Sequence, residues 1–333
     1  MPIIRGKQSV VEVYRAAAER RWVVPTFCAE NQTTIEAILA ACQAKAEQLG
    51  TRVPVTVALT GRYSHRAQAA FYAGSRNPET GCELFLNDCE VLARPLGDYP
   101  DVDVLVHLDH GQPDADAAWL EGDLSRFSSV MFDASALPWA ANLVRTAEFV
   151  RANGAELFIE GAADEVVDAN GAAHAELTTP ERAEEFVERT GVDMVVANLG
   201  TEHRSSVADL RYVPEAARAI SARIGTRLVL HGASSVPAPQ LATLFADGVC
   251  KVNIWTALER DSSPQLLRAM VQHADGVAGR VVAGELAEEG LLGPAAPVRG
   301  HADIAYFTTA WRQGIVLGEM QRILTGYLDL WYR

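Results

Sequence analysis

Short runs of apolar, largely β-branched residues recur along this chain, and longer Ala-rich stretches of helical pattern lie between most of them. The short runs predict strands at residues 22–27, 54–59, 102–108, 128–132, 156–159, 194–197, 227–230 and 250–254. The longer stretches predict helices over 34–48, 140–153, 180–190 and 214–224. At the third of these, Thr179 offers a capping hydroxyl ahead of Pro180, and proline suits the first helical position. Eight strands separated by helices predict an α/β chain closed into a (β/α)8 TIM barrel rather than an open sheet.

Two segments depart from the repeat. Residues 66–100 are longer than one crossover needs and predict extra helix. Residues 276–333 run past the eighth strand, through the Gly/Pro-rich stretch GLLGPAAPVRG, into a helical end at 304–330. That end carries Tyr306, Phe307, Trp311, Tyr327 and Trp331. The expected division is a catalytic barrel over 1–275 and a helical extension over 276–333, packed on the barrel or on a neighbouring subunit, since aromatic side chains serve both.

Composition narrows the function. A hydrophobic share of 49% supplies a large core. The formal net charge of −14 argues against nucleic acid, whose phosphates demand clustered Lys and Arg, and against an anionic membrane surface. The opening stretch MPIIRGKQSV lacks the apolar core of a signal peptide, and no segment reaches transmembrane length. Five scattered cysteines (Cys28, Cys42, Cys82, Cys89, Cys250) without a CxxC motif fit a reduced, cytoplasmic enzyme. Only Lys7, Lys45 and Lys251 are available for Schiff-base chemistry, and Lys251 alone lies near a strand end.

Barrel enzymes work at the C-terminal ends of their strands. Those ends supply Asp109 and His110 after the third strand, Glu160 after the fifth, His203 after the sixth and His231 after the seventh. The eighth adds Asn253 and Thr256. A charged cluster ending an apolar strand needs pairing or a metal to offset its desolvation. Three imidazoles from separate strands suit Zn2+ with one position left open for substrate. Such an ion polarises a carbonyl and stabilises an enediolate, while Asp109 moves a proton to or from the substrate oxygen. A single strand-end histidine is more often a hydrogen-bonded structural residue, and Asp109 alone reads equally as a helix cap or ion-pair partner.

The segments HLDHG (107–111), SVMFDASALPW (129–139), ERAEEFVERTGVD (181–193), GTEH (200–203), LVLHGASSVP (228–237) and KVNIWT (251–256) stand in a telling order. Together they resemble the class II fructose-bisphosphate and tagatose-bisphosphate aldolases over residues 20–260. The terminal helix around Trp311 is similar to that of the fructose-bisphosphate branch. The resemblance implies one catalytic Zn2+ per subunit, held by His110, His203 and His231, in a homodimer or homotetramer. It makes Asp109 the acid that protonates the aldehyde oxygen, with His107 as its support, and puts Glu160 near the metal. Ser234, Asn253 and Thr256 match residues that cradle the phosphate and hydroxyls of dihydroxyacetone phosphate, and Thr60 matches a small hydroxyl residue facing the aldehyde.

The departures concern the substrate. A Gly-Gly-Ser-Gly loop of the family becomes Gly232-Ala233-Ser234-Ser235, in which added Cβ atoms crowd backbone amides that would hold a phosphate. Asn-Ile-Asp-Thr becomes Asn253-Ile254-Trp255-Thr256, and an asparagine after the first strand becomes Cys28. Arg204 and Ser205-Ser206 replace a Gly and a Lys after the second zinc histidine. The loop after the fifth strand, GAADEVVD (161–168), offers Asp164, Glu165 or Asp168 as the proton-abstracting acid, with Glu165 taken as the candidate. Trp255 and Arg204 point to a changed substrate end: an aromatic or apolar group, a carboxylate, or one phosphate held by arginine. Trp255 reads equally as filler for a rearranged loop. The expected function is a zinc-dependent aldolase-like lyase acting on a ketose (phosphate) or sugar-like small molecule through a metal-stabilised enediolate, with specificity altered from fructose 1,6-bisphosphate. The alternatives are a zinc epimerase, isomerase or retro-aldolase of an unphosphorylated substrate, or a non-catalytic metabolite-binding barrel.

Overall fold

Strand follows strand in chain order around a closed parallel barrel: Val24–Cys28 (β1), Val53–Thr60 (β2), Val102–Gly111 (β3), Ser129–Phe132 (β4), Phe158–Ala162 (β5), Met194–Val196 (β6), Leu228–Leu230 (β7) and Val249–Ile254 (β8). The computed structural model describes residues 3–164, 177–201 and 212–333. β8 closes onto β1 with Thr26 opposite Asn253 and Phe27 opposite Ile254. Nearly every strand residue is buried, as expected where helices cover one face and the barrel interior the other.

All eight expected strands form, and β3 and β5 each run three residues past their expected ends. β3 passes the expected end at Leu108 to take in Asp109, His110 and Gly111, and β5 passes Ile159 to take in Glu160, Gly161 and Ala162. The apolar pattern stops at Leu108 and Ile159; here the buried Asp109 is paired with Asn253, His110 with Asp133 and Glu160 with Lys251, so the ladder continues. Thr60 lies opposite Asp109 in the β2–β3 pairing. On the other edge the register slips between Leu108 and Gly111, so β3 holds one residue more than β4 there. His110 sits in this bulge with φ +49°, a left-handed conformation that an L-residue adopts at a cost of about 1–2 kcal/mol. The bulge re-aims the chain so that the adjacent residues Asp109 and His110 both reach the same interior.

The long second crossover contains the expected extra helices, Gln68–Tyr72 and Pro78–Leu92, the latter capped by Asn77 accepting from Thr80 N at 2.8 Å. Helix Lys7–Glu19 covers the N-terminal side of the strands: Ile4 N donates to Val104 O, Lys7 N donates to Glu156 O, and Tyr14 stacks on Phe158 at 5.3 Å.

The chain divides into two compact units, Met1–Trp255 with Thr325–Arg333, and Thr256–Leu324. The aromatic residues of the helical end are shared between them. In the first unit Trp331 Nε1 donates to Leu241 O at 2.8 Å, the Tyr332 hydroxyl donates to Pro54 O, and Tyr332 packs on Trp22 at 4.7 Å. In the second, His273 stacks on Tyr306 at 4.1 Å with Trp311 edge-on to both.

Candidate active site

The inward side chains form tiers. In the lowest, Lys251 of β8 lies 2.7 and 2.8 Å from the two oxygens of Glu160 on β5, with both side chains fully buried. His107 of β3 stands beside them, with Nε2 3.4 Å from Lys251 Nζ and 3.7 Å from both Glu160 and Asp109. Its Nδ1 hydrogen-bonds Ser129 Oγ at 2.8 Å. A lysine or glutamate alone here would be an uncompensated buried charge; paired, each cancels the other. Lys251 is thereby sealed beneath the site with its ammonium bound, which does not suit a Schiff-base nucleophile.

In the next tier Asp109 accepts from Asn253 Nδ2 at 3.0 Å, and the Cys28 thiol approaches its other oxygen at 3.6 Å. Burial opposes ionisation of Asp109, but the charges of His110, His107 and His231 outweigh it and hold the carboxyl well below the usual range. Burial, reinforced by Asp109, pushes the Cys28 thiol far up and keeps it protonated. Beside Asp109, His110 Nδ1 donates to Asp133 Oδ2 at 2.6 Å, and Asp133 is fixed in turn by the Ser135 hydroxyl (2.6 Å) and amide (3.2 Å). Tyr63 lies flat on the His110 ring at 4.1 Å. Across from it, the His231 ring stands at 85° to His110 with centroids 4.9 Å apart. A small cavity of about 100 Å³ adjoins His110 and is lined also by Tyr63, His65, Asp133 and Ser135.

Asp109, His110 and His231 therefore converge, all buried, with one ligand atom from each within 4.8 Å of the others. Two imidazoles facing one another beside a carboxylate suit zinc, the rings as donors and the Asp109 charge as a neighbour that favours a cation. With Nδ1 bound to Asp133, His110 offers Nε2, the arrangement by which a carboxylate orients a metal-binding imidazole. Burial disfavours a charged His110, yet Asp109 and Asp133 raise its pKa; a field that favours a proton there favours a metal cation in its place. Asp133→Asn should weaken zinc binding by about 10–100-fold, measured by competition with a chromogenic chelator. Unchanged affinity would remove Asp133 from the metal centre.

The remaining sequence candidates fall in different places. His203, Arg204, Glu165 and Asp168 lie outside the described residues. Asp164 is bound by Arg182 Nε and by the Thr178 hydroxyl, each at 2.8 Å, so it anchors the start of its loop. The Thr60 hydroxyl donates to Arg66 O and accepts from Gln68 N, pinning the loop after β2. Gly232 adopts φ +70°, which glycine tolerates, and leads into the short turn Ala233–Ser235 that carries Ser234. Thr256 opens the helix Thr256–Gln272. Glu160 is held by Lys251 and is not one of the three converging groups. Sequence reasoning passed over Asp133, although the end of the fourth strand was open to the same reading as the others. It also passed over Tyr63 and Glu30, which sit in loops whose side-chain direction periodicity does not report.

Comparison with known proteins agrees with this geometry. The model of a family described as fructose-bisphosphate aldolase class-II matches residues 8–290. The D-tagatose-1,6-bisphosphate aldolase subunit GatY of Klebsiella oxytoca is 31% identical over 285 residues, covering 83% of this chain and 89% of that protein. A fructose-bisphosphate aldolase of Treponema pallidum (strain Nichols) is 28% identical over 295 residues, 75% of this chain and 82% of its own. Among solved structures, the Campylobacter jejuni fructose-bisphosphate aldolase superposes with a TM-score of 0.72 at 17% identity, covering 97% of this chain and 94% of that one. The YdjI aldolase of Escherichia coli K12 gives 0.62 at 18% identity, covering 97% and 96%.

Proposed function

The chain belongs to the class II fructose-bisphosphate aldolase family and is an aldolase-type lyase, and from that premise we propose that it uses zinc to make or cleave a C–C bond of a ketose phosphate or related sugar, with specificity altered from fructose 1,6-bisphosphate. The observation that carries this reading is the buried convergence of Asp109, His110 and His231. His203 completes the ligand set with His110 and His231. Bound there, zinc supplies Lewis acidity toward a substrate carbonyl.

The protein's own groups do the rest. Asp109, ionised and aimed by Asn253 and Cys28, takes a proton from the substrate hydroxyl in cleavage and returns it to the aldehyde oxygen in condensation. His107 and the Lys251–Glu160 pair beneath fix the carboxylate in place. Glu165 moves the proton on the donor carbon. Gly232, Ser234 and Asn253 hold the donor, while Thr60, Arg204 and Trp255 border the remainder of the substrate. The bisphosphate substrates in the names of the relatives support a phosphorylated ketose.

Cytoplasmic residence is supported by five free, buried cysteines, and among the described residues no helix is long and apolar enough to cross a membrane. A homodimer or homotetramer is supported by apolar side chains exposed on the Thr256–Leu324 unit, among them Leu267, Val281, Leu291 and Ile304.

A metal assay combined with NMR of dihydroxyacetone phosphate in D2O tests the reading. Stoichiometric zinc and exchange at C3 that stops on EDTA treatment are expected. Exchange that survives EDTA, or purified protein without stoichiometric metal, would overturn it.

A further inference from the structure

Beyond Asn253, Cys28 and Asp109 stands a further group, of which only Trp255 has so far been given a part. Glu30 lies two residues beyond Cys28, the last residue of β1, and Trp255 directly follows Ile254, the last residue of β8. Trp255 Nε1 donates to Glu30 Oε1 at 2.8 Å. Glu30, only 10% exposed in its side chain, also accepts from Arg66 through Nε (3.0 Å) and Nη2, and from Gln68 Nε2 at 3.3 Å. The Arg66 guanidinium lies 5.5 Å from the Trp255 ring centre and 4.3 Å from that of Phe71. The same loop is tied to Thr60 at Arg66 O and Gln68 N. Thus three loops, after β8, β1 and β2, lock one indole just past the strand ends that carry Asn253 and Cys28.

The charge of this group is already balanced. One carboxylate meets one guanidinium in a two-pronged pair, and the indole N–H is spent on the same carboxylate. A phosphate arriving here would face Glu30, or would have to pull Arg66 away from it. An uncharged group would meet the indole without either cost.

We propose that Trp255, fixed by Glu30 and backed by Arg66, is a specificity-determining residue: it selects a carbonyl substrate whose end remote from the reacting carbon is uncharged and rejects a phosphate there. This rests on the lyase reading above and names the substrate class within it. Its test uses the zinc-loaded full chain, dihydroxyacetone phosphate as donor, and two acceptors that differ only in the remote phosphate, D-glyceraldehyde and D-glyceraldehyde 3-phosphate. Donor consumption should favour the uncharged acceptor in kcat/KM by at least about tenfold. Trp255→Ala should reduce that ratio by about tenfold, chiefly through the KM of the phosphorylated acceptor, and Glu30→Gln should reduce it too by releasing Arg66. Trp255→Phe, which keeps ring volume, should retain most of the preference and guards against a folding artefact. Preference of the wild type for the phosphorylated acceptor, or a ratio unmoved by both Trp255→Ala and Glu30→Gln, would overturn the inference. So would condensation with neither acceptor while donor exchange persists. Absence of donor exchange in the wild type overturns the lyase reading instead.

Discussion

His231→Ala is expected to leave the protein folded but without stoichiometric zinc, and to lower lyase turnover by on the order of a thousandfold or more. Removing a group that merely orients a ligand costs about 10–100-fold in metal affinity, so removing a donor costs more. His231 is buried against His110 and shares the convergent group with Asp109. Its backbone oxygen accepts from the Thr201 hydroxyl at 2.6 Å, a bond that the substitution leaves intact. The fold should therefore survive the loss of the ring. Metal stoichiometry by atomic emission, turnover at saturating zinc and a thermal melt separate these effects. A variant that retains both metal and turnover would show that the convergence is structural packing alone.

The largest effect on stability is expected at Lys251. Lys251→Met leaves the Glu160 carboxylate buried without its cation, which costs about 3–5 kcal/mol. For a chain of this length that is a fall in Tm of roughly 5 °C. The double variant Lys251→Met/Glu160→Gln removes both charges and should recover most of the loss, because the penalty comes from the unpaired partner and not from the absence of the pair. Thermal unfolding of the two single variants and the double closes the cycle. A single variant that melts like the wild type would mean the pair is screened by water rather than sealed.

The strands and the paired helices were legible because a buried parallel strand reads as an apolar run, and helix 180–190 carries its cap and proline in the sequence. The reach of β3 to Gly111 was not, because a bulge and a left-handed His110 are set by the neighbouring strand's register. His110 and His231 were found from strand ends and a family resemblance, and they do meet. Asp133 was within reach of the same argument and was overlooked. The bond from Trp255 to Glu30 spans most of the barrel sequence, and no local pattern could announce it. The division between units was hidden for a similar reason: helix Thr309–Trp331 is continuous in pattern, yet its last turns belong with the barrel strands.

That discontinuity has a consequence for how the protein is made. Trp22, the Pro54 carbonyl and the Leu241 carbonyl are all partnered from Trp331 and Tyr332. On a ribosome the eight strands emerge first, and the whole of Thr256–Leu324 must follow before those partners arrive. At about 5–20 residues per second this is a wait of roughly 4–14 s. Through that interval Trp22 lacks the ring of Tyr332, and the Pro54 and Leu241 carbonyls lack the donors that the returning helix supplies.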